Sequence, residues 1–257
     1  MRARQAGWRL CYGLLASQVP SPDWVFMNFG YTPLEPPTAL QLEVADEPDR
    51  LCIQLYRHAI GAVVLREKDV LEVGSGRGGG ASYVSRYLQP HSVTGLDFSQ
   101  QAIDLCNRHR KAAGLAFTCG DAQSMPFPDC SFDAVLNIES SHCYPSMGKF
   151  LSEVHRVLRP GGSFLFADLR GSDGLIALHR QFEESPLELE CEDDITANVL
   201  TALRIDNDKK LQLIHDLIPW LFRRPFRAFA GIEGTLNYAG FENGKLRYLS
   251  AHLTKRG

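Results

Sequence analysis

The chain has 257 residues, 44% of them hydrophobic, with 27 Lys and Arg against 30 Asp and Glu for a formal net charge of −3. That length and apolar content suit one large α/β domain or two small ones, and short basic clusters interspersed with acids exclude an extended nucleic-acid footprint. No apolar run approaches the roughly 20 residues that cross a bilayer. The expectation is a cytoplasmic protein that meets a small molecule, with neither nucleic acid nor membrane as partner and with a homodimer left open.

In chain order, residues 1–18 carry Arg2, Arg4 and Arg9 around a short apolar patch. They read as an amphipathic helix packed on the body rather than an export signal. Residues 20–37 are broken by prolines and hold Trp24, Phe26, Phe29 and Tyr31. Apolar residues at helical spacing (Leu51, Leu55, Ala59, Ala62, Val63) predict a helix over 51–65. From Asp69 the pattern changes to strand, turn and helix units. Strands are expected at 70–73, 92–96, 117–119, 132–138 and 163–169, with helices at 81–88, 99–113 and 147–158 between them. Beyond Gly171 the rhythm breaks into helical stretches at 175–184 and 196–229, a strand near 187–192 and a last strand at 246–253. Strands alternating with helices at this spacing predict a doubly wound, mostly parallel sheet. The division is N-terminal cap helices at 1–65, a ligand-binding core at 66–170, a helical lid insertion at 171–244 and a final edge strand at 245–257. Seven scattered cysteines form no CxxC pair and read as reduced thiols.

The turn after the first strand satisfies both GxGxG (Gly74, Gly76, Gly78) and GxGxxG (Gly74, Gly76, Gly79). Glycines serve where backbone turns tightly and approaches a ligand closely, so the turn alone fits a nicotinamide or flavin enzyme equally well. Asp97, at the end of the second strand, can accept from both ribose hydroxyls, which NAD and S-adenosylmethionine share. Glu72 separates the two: a carboxylate just before the glycines favours a cationic sulfonium and would repel a pyrophosphate. Asp121 follows the third strand, placed to accept from an adenine amino group, and Ala122 can offer its N–H to a ring nitrogen.

The ordered set Glu72-x-Gly74-x-Gly76-x-Gly78, Gly95-Leu96-Asp97, Gly120-Asp121-Ala122, Phe132-Asp133-Ala134-Val135 and Leu158-Arg159-Pro160-Gly161-Gly162 resembles the motif series of class I S-adenosylmethionine-dependent methyltransferases over about residues 65–170. The resemblance implies a Rossmann-like fold with S-adenosylmethionine as cofactor and S-adenosylhomocysteine as product. It places Gly74, Ser75 and Gly76 along the methionine portion, Asp97 and Phe98 at ribose and adenine, Asp121, Ala122 and Gln123 at the adenine edge, and Asn137 beside the methionine. Met27-Asn28-Phe29-Gly30-Tyr31 resembles an N-terminal motif whose tyrosine, here Tyr31, closes over the cofactor.

For a hydroxyl acceptor, methyl transfer needs a base just past the fourth strand, and His142 stands there with a pKa range suited to neutral pH. Asp168, at the end of the fifth strand, can orient its imidazole and stabilise its cation. This pair resembles the catalytic pair of small-molecule O-methyltransferases acting on sugars and polyketide-type products. The segment from Glu139 to Tyr144 resembles mycobacterial phthiotriolone-type lipid methyltransferases. No His/Asp/Glu spacing suggests a metal. The N-terminal aromatics with Trp220, Phe222, Phe226 and Phe229 are expected to pack the lid and line an apolar acceptor site. The expected activity is O-methylation of a largely apolar secondary metabolite (polyketide, phenol, sugar-bearing product), as in antibiotic biosynthesis. The alternatives are C- or N-methylation of a quinone-like or amine substrate, a nicotinamide oxidoreductase, and a non-catalytic S-adenosylmethionine-binding partner protein. Glu139 is left without a role.

Overall fold

The computed structural model describes residues 24–35 and 40–257; the helix expected over 1–18 lies outside them. Helix α1 (Arg50–Ile60) buries Ile53, Leu55 and Tyr56 against the sheet and ends earlier than expected, because Gly61 adopts φ +57° and breaks the helix. Then come β1 (Asp69–Val73), α2 (Gly79–Tyr87), β2 (Ser92–Asp97), α3 (Gln100–His109), β3 (Leu115–Cys119), β4 (Phe132–Ile138), α4 (Met147–Val157) and β5 (Leu158–Gly171). Serines start two of these helices: the Ser99 hydroxyl accepts from Ala102 N at the head of α3 and that of Ser146 from Lys149 N at the head of α4.

The second half contributes α5 (Ser172–Glu183), β6 (Glu188–Asp194), α6 (Thr196–Leu217), α7 (Arg223–Phe229), α8 (Leu236–Glu242) and β7 (Leu246–Thr254). The stretch expected as one helix over 196–229 is split. Pro219 interrupts it, and a single 3-10 turn, Trp220–Phe222, separates α6 from α7.

The seven strands order as β3-β2-β1-β4-β5-β7-β6, the first five parallel and β7 antiparallel to both neighbours. The expected final edge strand is therefore interior. β6 flanks it and takes the edge, where Glu188, Glu190, Glu192, Asp193 and Asp194 discourage further strand pairing. Residues 24–35 form no helix; they run as irregular chain across the sheet's ligand end, with Phe26 and Phe29 buried. Winding reverses between β1 and β4, and in such sheets the ligand crevice opens at the C-terminal ends of the strands flanking the reversal.

Candidate active site

The loop after β1 turns through three glycines, Gly74, Gly76 and Gly78, at φ +79°, +51° and +78°, a conformation that L side chains rarely adopt. A Cβ on Gly74 would also run into the Ser140 hydroxyl, and one on Gly76 would meet the Met27 methyl. The turn is thus pressed between the β4 exit loop and the N-terminal segment. Asp97 stabilises it from β2: Gly76 N donates to Oδ2 and Ser99 N to Oδ1, both at 2.8 Å. Burial pushes the Asp97 carboxyl up, while the amides of Ser99, Gly76 and Phe98 oppose that rise.

Around this turn lies a cavity of about 470 Å³, a size that suits a cofactor. Its floor is Val73 to Arg77, one side is Asp97 to Gln101, and Gly120 to Gln123 and Ile138 to Ser140 continue the wall to Tyr144. Val25 to Asn28 close it from the N-terminal side. Arg77 fastens that cover: its Nε donates to Trp24 O at 2.5 Å and its guanidinium lies over the Trp24 ring. The wall carries Asp97, Asp121 and Glu139, so the cavity suits a ligand bearing positive charge. The buried Ser75 hydroxyl on the floor has no partner among the described residues, as expected of a group that serves a ligand.

Next to this cavity, His142 sits in a single 3-10 turn, Ser141–Cys143, directly after β4. Its Nδ1 lies 2.7 Å from Asp168 Oδ1, and its backbone N–H donates to Asp168 Oδ2 at 2.9 Å. Asp168 is fully buried on β5 and would be prohibitively costly as a lone charge. It is compensated from all sides: Ser141 Oγ donates at 2.6 Å, Leu169 N at 2.8 Å, and Arg170 Nη1 lies 2.9 Å away. Burial pushes its carboxyl up, but the Arg170 cation and His142 outweigh that and hold it far below the usual carboxylate range. Burial likewise disfavours the His142 imidazolium, yet the Asp168 charge and hydrogen bond prevail and raise its pKa well above the ordinary value.

Glu139 closes the ring of contacts. It holds a left-handed backbone (φ +50°) unusual for a residue with a side chain, so its conformation is imposed by its surroundings. Phe29 N donates to Oε2 at 2.8 Å and Tyr248 OH to the same oxygen at 2.9 Å. Burial pushes this carboxyl up to about 7, the Phe29 amide and His142 pulling the other way.

A methyltransferase-domain family matches residues 71–166. The chain is 42% identical over 248 residues to a phthiotriol/phenolphthiotriol dimycocerosates methyltransferase of Mycobacterium tuberculosis, covering 96% of this chain and 92% of that one. The chain belongs to the class I S-adenosylmethionine-dependent methyltransferases. It is also 40% identical over 223 residues to a fatty-acid O-methyltransferase of Mycolicibacterium smegmatis, covering 87% and 81% of the two chains. Among solved structures, the [4+2]-cyclase SpnF superposes with a TM-score of 0.70 at 20% identity, covering 96% of this chain and 94% of that one, a likeness of fold.

In this methyltransferase the cavity wall includes Gly74, Ser75, Gly76, Asp97, Phe98, Asp121, Ala122 and Gln123, eight of the residues expected to meet the cofactor. Three others lie off it. Tyr31 stacks on His58 at 4.4 Å between ring centroids and donates its backbone N–H to Leu51 O, turned away from the cavity. Glu72 is buried behind the turn, accepting from Tyr56 OH at 2.5 Å; burial pushes its carboxyl up to about 7. Asn137 is fully buried, its Nδ2 within hydrogen-bond distance of Val73 O, Ser140 Oγ and Tyr144 OH, bracing the β1 and β4 ends from below. His142 is likewise not part of the wall, although Glu139, Ser140 and Cys143 around it in sequence are, and a fifth of its side chain is exposed. The cover residues Val25 to Asn28 were missed in the sequence. The resembling motif pointed to their segment, and its tyrosine, Tyr31, does not line the cavity.

Proposed function

We propose that this methyltransferase transfers a methyl group to a hydroxyl of a small, largely apolar, lipid-like metabolite, with His142 as general base. The observation that supports this reading is the 2.7 Å contact of His142 Nδ1 with a fully buried, charge-compensated Asp168 beside the cofactor cavity. With Nδ1 committed to the carboxylate, Nε2 is the nitrogen left to take the acceptor's proton. The carboxylate also stabilises the resulting imidazolium. Names of relatives that methylate phthiotriols and fatty acids support a lipid-like acceptor. A polyketide, phenol or sugar-bearing product belongs to the same proposal, with the reaction in the cytoplasm and without a metal.

The cavity fits S-adenosylmethionine: a glycine floor that no Cβ could share, an unpartnered Ser75 hydroxyl and a carboxylate-bearing wall. Gly74, Ser75 and Gly76 would hold the methionine portion, Asp97 the ribose, and Phe98, Asp121, Ala122 and Gln123 the adenine. Bound there, the cofactor supplies an electrophilic methyl on a sulfonium. The chain's own part is to exclude water under Val25–Asn28, align the acceptor oxygen and move its proton to His142.

A second reading follows from the fatty-acid relative. A carboxylate acceptor is already ionised and needs no base. Assay of His142→Ala on long-chain alcohols or phenols and on fatty acids separates the two: a loss confined to hydroxyl acceptors supports the base, whereas unchanged turnover on every acceptor removes it.

A further inference from the structure

The 3-10 turn between α6 and α7 presents three consecutive apolar side chains to solvent: Trp220 is 78% exposed, Leu221 64% and Phe222 44%. Sequence reasoning expected Trp220 and Phe222 to pack the lid, yet they point away from it. The turn is nevertheless firmly mounted. Phe222 N donates to Pro219 O, and Arg223 bonds the carbonyls of Ile218 and His215 at the end of α6. Beneath it, Ile214, Ile218 and Ile232 form a small buried cluster against which Trp24 and Phe226 pack. Arg224 and Arg227 on α7 are exposed, and residues 219–231 hold three arginines and no acid, in a chain whose net charge is −3.

We propose that this turn and α7 dock the protein on an anionic lipid surface, Trp220, Leu221 and Phe222 entering the headgroup boundary and Arg224 and Arg227 meeting lipid phosphates. A rigid wedge of Trp, Leu and Phe rimmed by arginines is the composition that binds in the plane of a membrane interface. Charge decides against the other occupants. A second copy would bring an identical positive patch to a two-fold contact, and residues 1–18 carry Arg2, Arg4 and Arg9 and no acid. The attachment is peripheral, since among the described residues no helix is long and apolar enough to cross a membrane. Its place in the fold is informative: Trp24, packed against Phe226 at 6.1 Å between centroids, begins the segment that covers the cofactor cavity. The surface would therefore hold the cover of the cofactor cavity close to lipid. The inference stands whichever group is methylated, and its test uses no substrate.

The full chain is sedimented with vesicles of phosphatidylcholine alone and with about 30% phosphatidylglycerol added. Binding to the anionic vesicles, weakening with salt, is expected. It should fall at least about tenfold in Trp220→Ser/Leu221→Ser/Phe222→Ser and in Arg224→Glu/Arg227→Glu, with S-adenosylhomocysteine binding retained as the check on folding. Should the triple variant not fold, Trp220→Phe replaces it: a vesicle-induced blue shift of tryptophan emission present in the parent and absent in this variant supports the docking. Equal binding by the parent and the variants, or none by the parent, overturns it. So does a parent dimer that the triple variant dissolves without any vesicle binding.

Discussion

The glycine-turn side of the cavity and the Glu139 side are built in different ways. The first is backbone: a glycine turn at φ values few residues tolerate, and carboxylates at the ends of consecutive parallel strands. The second is assembled from side chains of distant segments. Glu139 after β4 receives Phe29 N from the N-terminal segment and Tyr248 OH from β7, partners 110 and 109 residues away. Lys210 on α6 donates to Phe29 O, and Asn198 on the same helix to Thr32 O. A local motif can encode the first half. Only the folded chain reveals the second.

Substitutions should respect this division. The largest effect is expected at Asp168→Asn, which removes the charge that stabilises the His142 imidazolium, with kcat falling on the order of 10²–10⁴-fold on a hydroxyl acceptor. Its pH profile is diagnostic. A base must be neutral to act, so kcat/KM rises with pH through the His142 pKa, which Asp168 holds above its ordinary value. Without the carboxylate that acidic limb should move to lower pH, whatever residual rate is left. On the cofactor side, Asp97→Ala removes the acceptor of the Gly76 and Ser99 amides and the expected ribose contact. S-adenosylhomocysteine affinity, by calorimetry, should fall about 10- to 100-fold. An unchanged affinity would detach Asp97 from the cofactor.

Smaller effects test the Glu139 side. Tyr248→Phe deletes one hydrogen bond to Glu139 and should lower stability to urea by about 0.5–1.5 kcal/mol. It should raise the acceptor KM several-fold while leaving S-adenosylhomocysteine affinity intact. Equal losses on both ligands would erase the distinction between the halves. The smallest expected effect is electrostatic. Glu72 and Glu139 both ionise at about 7, and a sulfonium favours their charged forms. S-adenosylmethionine should therefore gain affinity over neutral S-adenosylhomocysteine as pH rises from 6 to 8, and Glu72→Gln should flatten that gain.

The legibility of the sequence follows the same line. The strands β1 to β5 could be placed because helices separate most of them and each ends in, or is followed by, a glycine or acid at the ligand end of the parallel sheet. The interior position of β7 could not, since nothing in residues 246–254 says that the acidic β6 will cover it. The contact between His142 and Asp168 was legible from their positions after β4 and near the end of β5. Their stabilising partners Ser141 and Arg170, though adjacent in sequence, gain their role only from the fold that brings β4 and β5 side by side. Tyr31 and Asn137 were assigned to the cofactor from motif position, whereas burial and hydrogen bonding turn one toward His58 and the other under the β1 end.

The central claim is that His142, oriented by Asp168, takes the proton of a hydroxyl acceptor. The most direct measurement is single-turnover methyl transfer by His142→Ala to a long-chain alcohol or phenol, with S-adenosylhomocysteine affinity measured on the same protein. A fall of about 10²–10⁴-fold in rate with affinity unchanged is predicted. A fall of less than about tenfold on an acceptor that the parent methylates would contradict it.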